Sequence, residues 1–531
     1  MTPPPFHLDT PILILGGGIN GAATARELTL NGYSVTLVDQ ADIAGGATAY
    51  SSRLIHGGLR YLEYGEFDLV KESLAERTRL LQLAESYVHP LRLFIPAQNR
   101  WGGLWQAGTK FFGLGSGKSP PRPRGLNLIR LGLRLYDTYV RDQSLPQRSI
   151  HALGEPGIPQ VSSSAARWLA AYSDGQIPFP ERFVIALLRD AQQAAEENGC
   201  KLQVLTYHRA SLRDGVIDIA PSSPAGAPAQ YSFRPAAIIN ATGAWVDDTL
   251  ARLPVPSRRL MGGTKGSHFF TWNARLKELL GGNGVYTEAP DGRPVFLLPL
   301  VEGTLVGTTD IPYSGDPALA IASSDELNYL LEVVHAVFPQ AGLAPDNIAW
   351  HYSGVRPLPY VDSSTPAAVT RRHALVWNDH SAIPLVSLVG GKLTTCRSLA
   401  QEAATVVLKR LGETQFRNSQ ARVVRPGLLE QQRFAESTPQ VTSQPYLAGT
   451  RIPISVVRRI ITQEWVARLE DLVERRLMLL YQPGFSRQTL AELAGLMVQE
   501  GKLTEDNHSQ AAETCRQRLK EHFGFDLPLS G

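Results

Sequence analysis

Pro11-Ile12-Leu13-Ile14-Leu15-Gly16-Gly17-Gly18-Ile19-Asn20-Gly21-Ala22-Ala23 begins a unit that a helical run and Tyr33-Ser34-Val35-Thr36-Leu37-Val38-Asp39 complete. Ile12 to Leu15 is a short all-apolar run of the kind a buried parallel strand shows. Gly16, Gly18 and Gly21 satisfy G-x-G-x-x-G. The first glycine allows the tight turn, the second lets a pyrophosphate approach the backbone, and the third lets the following helix pack on the strand. That helix, about 21–30, aims its N-terminal N–H groups at the phosphates. It ends at Asn31-Gly32, and a second strand closes at Asp39, placed to accept from a ribose hydroxyl. A structural glycine turn is the competing reading of the motif alone. The strand, glycines, Ala-rich helix, second strand and terminal acid together point to a dinucleotide site.

The rest of the chain must supply more than one core, because 531 residues divide into two or three domains. A formal net charge of +3 does not suggest a general nucleic-acid binder. Cys200, Cys396 and Cys515 fit neither a metal pattern nor a disulfide framework, so a reducing compartment and no metal are expected. No apolar run approaches the length of a membrane span and no signal peptide is evident. The expected location is cytoplasmic, peripheral on the inner face of the cytoplasmic membrane.

Downstream of Asp39, the stretch from Gly45 through Ser51-Ser52-Arg53-Leu54-Ile55-His56-Gly57-Gly58-Leu59-Arg60-Tyr61 combines small residues with polar ones, as a backbone close to a ligand requires. Helical patterns cover 67–84 and 181–198, strands 201–207 and 236–240. The second strand leads into Ala241-Thr242-Gly243, a small turn at a strand's carboxyl end, where open α/β sheets bind ligands. Residues 294–300 and 304–310 read as paired strands. The strand 385–389 meets Gly390-Gly391-Lys392-Leu393-Thr394-Thr395, a second strand-to-glycine-to-helix junction.

Between Asn99 and Arg148, nine Lys or Arg stand against two acids, with Trp101, Trp105, Phe111 and Phe112 interleaved. This segment reads either as an interfacial anchor for an anionic membrane surface or as a solvated loop followed by a core helix. Residues 426–450 read as a linker. Beyond them, helices are expected over 460–481, 485–501 and 510–523. The returning glycine junctions favour a flavin enzyme over a nicotinamide one, whose nucleotide half is usually contiguous.

The chain resembles the FAD-dependent, respiratory, quinone-linked glycerol-3-phosphate dehydrogenases of the D-amino-acid-oxidase-like group. The resemblance rests on Gly16 to Ala22, Leu54 to Glu63, Lys265-Gly266-Ser267-His268, Gly307-Thr308-Thr309-Asp310, Tyr352-Ser353-Gly354-Val355-Arg356 and Gly390 to Thr395, with Gln463 to Arg468 in the tail. It implies an α/β fold: a Rossmann-like FAD-binding domain over 1–90, 170–255 and 352–410, a β-rich substrate domain over 91–169 and 256–351, and an all-α C-terminal domain over 411–531. It also implies oxidation of sn-glycerol 3-phosphate to dihydroxyacetone phosphate by hydride transfer to FAD, with electrons passed to a quinone.

On that reading His56, His268 and Arg356 are catalytic, while Arg60, Tyr61, Arg356, Arg371 and Lys392 hold the phosphate ester. FAD is held by Gly16, Gly18, Gly21, Asp39, Ser51, Ser52, Thr242, Gly243, Gly391, Lys392, Leu393 and Thr394. A homodimer through the tail is compatible with the sequence. Departures from the family pattern include Tyr50, where a smaller residue is typical, Cys396, where Tyr is usual, and an insertion over 99–124. Tyr50 and Cys396 bear on the substrate as positions that could lie near the flavin. The alternative function is an FAD-dependent oxidase of a small 2-hydroxy or 2-amino acid, which also needs an arginine clamp.

Overall fold

A computed structural model describes residues 10–59, 66–100, 125–139, 145–223, 228–361, 372–436 and 445–529. The opening unit forms β1, Ile12–Leu15, then α1, Ile19–Leu30, then β2, Val35–Val38. Every residue of β1 and β2 is buried, which is why neither strand alternates apolar with polar. Eleven of the twelve residues of α1 are buried. It lies between the helices Pro180–Asn198 and Cys396–Arg410, and Ala22, Ala23 and Ala25 keep that approach close. Arg26 inside this core is neutralised by Asp190.

These elements belong to a six-stranded sheet, ordered Ala374–Asn378, Leu385–Val389, Ile238–Asn240, β1, β2 and Leu202–Leu205. All neighbours run parallel except the edge strand Ala374–Asn378. Leu15 stands opposite Val38 and Asn240, and Asn240 opposite Ser387. The register therefore brings Gly16, Asp39, Ala241 and Gly390, which follow the carboxyl ends of four strands, to one edge of the sheet. That is where a parallel sheet binds its ligand.

A larger, mostly antiparallel sheet of ten strands lies beside it. Its axis is the strand Met261–Thr271, paired along its length with Trp350–Pro359 and, toward its end, with Gly303–Gly307. The strands Trp168–Gln176 and Trp350–Pro359 belong to this sheet, although the division drawn from the sequence gives most of each to the nucleotide half. The register pairs His268 with Tyr352, Gly266 with Gly354 and Thr264 with Arg356. Alternation then sets Thr264, Gly266, His268, Tyr352, Gly354 and Arg356 on one face, and Lys265, Ser267 and Ser353 on the other. The second set meets Glu326 of the helix Ser324–Val337: Lys265 pairs with it at 2.8 Å and Ser267 donates to it at 2.7 Å. The Lys-Gly-Ser-His motif is thus half scaffold and half site.

Past the nucleotide sheet the chain is α-rich, but it breaks differently from its hydrophobic spacing. The expected linker contains the helix Leu428–Glu436. The helix expected over 460–481 instead starts at Ile454 and stops at Gln463. Trp465 then takes a positive φ of 52°, and short turns carry the chain through Leu479–Tyr481. Those turns exist because their side chains serve another surface: Tyr481, Trp350 and Phe270 pack edge-on and stacked, joining helical region and large sheet in one core. The two last helices, Arg487–Gln499 and His508–Phe523, follow the expected positions closely.

The helix Leu126–Tyr139 buries Leu126, Ile129, Leu133 and Tyr136, so this half of the basic aromatic segment is a core helix. Residues 101–124 lie outside the described residues. No helix among the described residues is long and apolar enough to cross a membrane.

Candidate active site

A cavity of about 550 Å³ opens along the carboxyl edge of the six-stranded sheet and runs to the face of the ten-stranded sheet that carries His268. Gly16, Gly18, Asp39, Ser51, Ser52, Thr242, Gly243, Gly391, Lys392, Leu393 and Thr394 line it, together with His56, His268 and Arg356. Gly21 does not line it. A Cβ there would stand 1.9 Å from the Gly16 carbonyl oxygen, so this glycine serves the contact of α1 with the turn. Arg60, Tyr61 and Arg371 lie outside the described residues. Cys396 is buried in the core around α1, away from the cavity, and burial first of all pushes its thiol up to about 12. Tyr50, by contrast, is on the cavity wall.

The nucleotide end is built from backbone. Gly16 has a φ of +102°, and a Cβ on it would lie 2.6 Å from the Ala241 oxygen, so only glycine passes between the two strand ends. Gly18 supplies no side-chain cap to α1, so apart from the Ile19 N–H, which donates to Thr48 Oγ1 at 3.1 Å, its first turn is a donor surface for phosphate. Asp39 accepts from the Gly17 N–H at 2.7 Å and from the Ala41 N–H at 2.8 Å. Burial raises its carboxyl to about 6 despite those donors. Asn20, which the motif passes over, also lines the cavity, and its Oδ1 is buried without a hydrogen-bond partner among the described residues.

At the other end, His268 is 2% exposed and its ring stacks on Tyr352 at 4.9 Å. Gly307 makes room for it, since a Cβ there would approach His268 Cδ2 to 2.1 Å. Nε2 lies 2.9 Å from the Ser52 hydroxyl, while Nδ1 is buried and unpartnered among the described residues. Burial, then the charges of Arg356 and Arg53, hold the imidazole well below its usual pKa, so it is neutral near pH 7. Arg356 donates through Nη1 to Asp310 at 2.9 Å and through Nη2 to Thr308 at 2.9 Å and the Thr309 carbonyl at 3.0 Å. Gly266 lies under this guanidinium, 2.2 Å from Nη2 if it carried a Cβ. His56 is fixed through its backbone, its N–H donating to Thr394 Oγ1 at 3.1 Å, and Lys392 Nζ reaches Ser73 Oγ at 3.5 Å.

Five lining residues come from the helical region: Arg468, Glu470, Arg475, Arg518 and His522. Their position is a long-range result for which periodicity offers no signal, although Arg468 closes a motif visible in the tail. His522 Nε2 lies 3.1 Å from the Tyr50 hydroxyl, and burial with the Arg518 charge lowers the His522 pKa to about 4.

A glycine-headed βαβ unit, an open sheet edge continuing into a cavity, and a neutral histidine beside a held arginine define a nucleotide-dependent oxidoreductase. The chain belongs to the FAD dependent oxidoreductase family, whose model matches residues 11–397. It is 35% identical over 420 residues to a glycerol-3-phosphate dehydrogenase of Synechocystis sp., covering 75% of this chain and 70% of the relative. It is 32% identical over 395 residues to the D-erythritol 1-phosphate dehydrogenase of Brucella abortus, covering 73% and 72%. The glycerol-3-phosphate dehydrogenase from Bacillus halodurans complexed with FAD shares the fold with a TM-score of 0.67 at 18% identity, over 97% of this chain and 95% of that one.

The cavity suits that cofactor. Glycines stand where backbone must close on a pyrophosphate, an acid ends β2, and two buried polar atoms, Asn20 Oδ1 and His268 Nδ1, await partners. Gly16, Gly18 and α1 would hold the pyrophosphate, Asp39 the ribose, and Ser51, Ser52 and the segment 390–394 the flavin end.

Proposed function

We propose that this protein oxidises the C2 alcohol of sn-glycerol 3-phosphate to dihydroxyacetone phosphate and passes the electrons on to a quinone. The observation that carries the reading is the pairing of a buried neutral imidazole, His268, with the guanidinium of Arg356 on one face of two paired strands. Alcohol oxidation needs a base for the hydroxyl proton and cations for the phosphate dianion. Bound FAD supplies the hydride acceptor.

The residues divide the work by chemistry. In this reading Nε2 of His268 carries the proton and faces the Ser52 hydroxyl at 2.9 Å, leaving the Nδ1 lone pair as the base. His56, held through its backbone at the same cavity, is the second candidate for that role. Arg356 and Lys392 bind the phosphate, the first as a planar fork and the second as a point charge. By the family pattern Arg60, Tyr61 and Arg371 join them. The three-part domain division is kept as part of this proposal, with the strands Trp168–Gln176 and Trp350–Pro359 counted in the β-rich substrate domain. So is peripheral attachment to an anionic membrane through the part of the basic segment that precedes the core helix Leu126–Tyr139, tested by sedimentation with anionic vesicles at low salt. Protein that stays in the supernatant would remove it.

The decisive experiment mixes the oxygen-free holoprotein with sn-glycerol 3-phosphate and follows the flavin absorbance. Rapid bleaching, absent with lactate, glycine or free glycerol, is expected. D-Erythritol 1-phosphate belongs in the same panel, and faster bleaching by it would replace the substrate. Bleaching by lactate or glycine, with peroxide on admitting air, would indicate the oxidase alternative.

A further inference from the structure

The reaction above leaves one feature of the cavity unused. Arg468, just before the short helix Leu469–Asp471, lies at the end of the cavity that Asp39, Gln40 and Ala41 line. Its guanidinium carbon is 4.0 Å from the centroid of the Tyr207 ring, and Tyr207 lines the same end. Neither residue is there by accident of a loose loop. Tyr207 takes a φ of 59° in the turn between two strands, its N–H donates to the Ala41 carbonyl at 2.9 Å, and the next N–H, of His208, donates to Asp39 at 2.9 Å. Its hydroxyl donates to Asp471. The same carboxylate accepts from the N–H groups of Ala467 and Arg468 at 2.9 and 2.8 Å. One buried acid therefore orients both members of the pair.

The helical region also holds the loop that follows β2. Arg476 makes a two-pronged pair with Asp42, at 2.6 and 2.7 Å, and Arg475 pairs with the same carboxylate at 2.5 Å. This anchors Arg468 against the acid-bearing end of the nucleotide unit. In a βαβ nucleotide site that end receives the ribose and base. A guanidinium held over an aromatic ring offers donors and a π face, which suit a purine and its ribose.

We propose that Arg468, held over the Tyr207 ring, binds the adenosine half of FAD, so that the C-terminal helical region is a structural part of the cofactor site. This rests on FAD as the cofactor and is independent of the substrate. The test strips the full-length protein of cofactor and titrates wild type and Arg468→Ala with FAD, with ADP and with FMN, following fluorescence. Arg468→Ala is expected to weaken FAD and ADP about tenfold and to leave FMN unchanged, a loss typical of a desolvated cation–aromatic contact. Unchanged FMN binding also reports an intact fold. FAD affinity equal to wild type would overturn the proposal, and so would equal losses for FAD and FMN.

Discussion

At the scale of residues, the site works by making room as much as by placing charge. Gly307 and Gly266 lie under His268 and Arg356, and a methyl at either would collide with the functional group above it, at 2.1 and 2.2 Å. Gly307→Ala is expected to lower kcat by about a hundredfold, the loss typical of a displaced general base, while flavin absorbance per protein stays constant. His268→Asn should cost at least as much. Arg356→Lys keeps the charge but not the fork that bonds Asp310 and Thr308. It is expected to raise KM for the phosphate ester about tenfold or more with FAD content unchanged, read from steady-state kinetics.

His522 gives a prediction in pH. Its pKa is about 4 in the fold against 6.5 for the ordinary group. Between those values the unfolded chain binds the proton and the folded chain does not. Its contribution is therefore whole above about 6.5 and is lost as pH falls toward about 4. Melting temperature should fall over that window more steeply for wild type than for His522→Asn.

At the scale of elements, the meeting of β1 and α1 is the tightest joint in the nucleotide half. Gly21→Ala would press a methyl to 1.9 Å from a backbone oxygen, and backbone cannot rotate aside as a side chain can. The helix must back away from the sheet, and its first turn leaves the phosphate position. Loss of FAD on gel filtration and a lower melting temperature are the expected outcomes. Much of this joint was legible in the sequence, because glycine spacing and an all-apolar strand report local geometry directly. The tail was not. Ile461, Trp465, Leu469, Leu472 and Val473 keep helical spacing, yet the chain turns at Trp465 because those side chains are divided between the helical region and the two sheets.

At the scale of the whole molecule, buried charge joins the parts. Asp42, in the loop after β2, is enclosed with Arg475 and Arg476, whose charges outweigh the cost of burial and hold its carboxyl below the usual range. Removing one partner leaves the others charged and dry. Asp42→Ala should cost about 3–5 kcal/mol in denaturant unfolding, far more than breaking an exposed, solvent-screened pair such as Lys277 with Glu302. Arg182 makes a similar junction, between Glu430 and Glu464.

The sequence by itself determined the nucleotide unit, the cofactor class and part of the cavity lining, because each is a local pattern: spacing of glycines, an acid ending a strand, polar residues among small ones. Only the tertiary structure decided that Cys396 belongs to the core and Tyr50 to the cavity wall, that Lys265 and Ser267 face Glu326 while His268 faces the site, and that the helical tail lines the same cavity. Those outcomes depend on strand register and on which face of each element another covers, and long-range packing sets both.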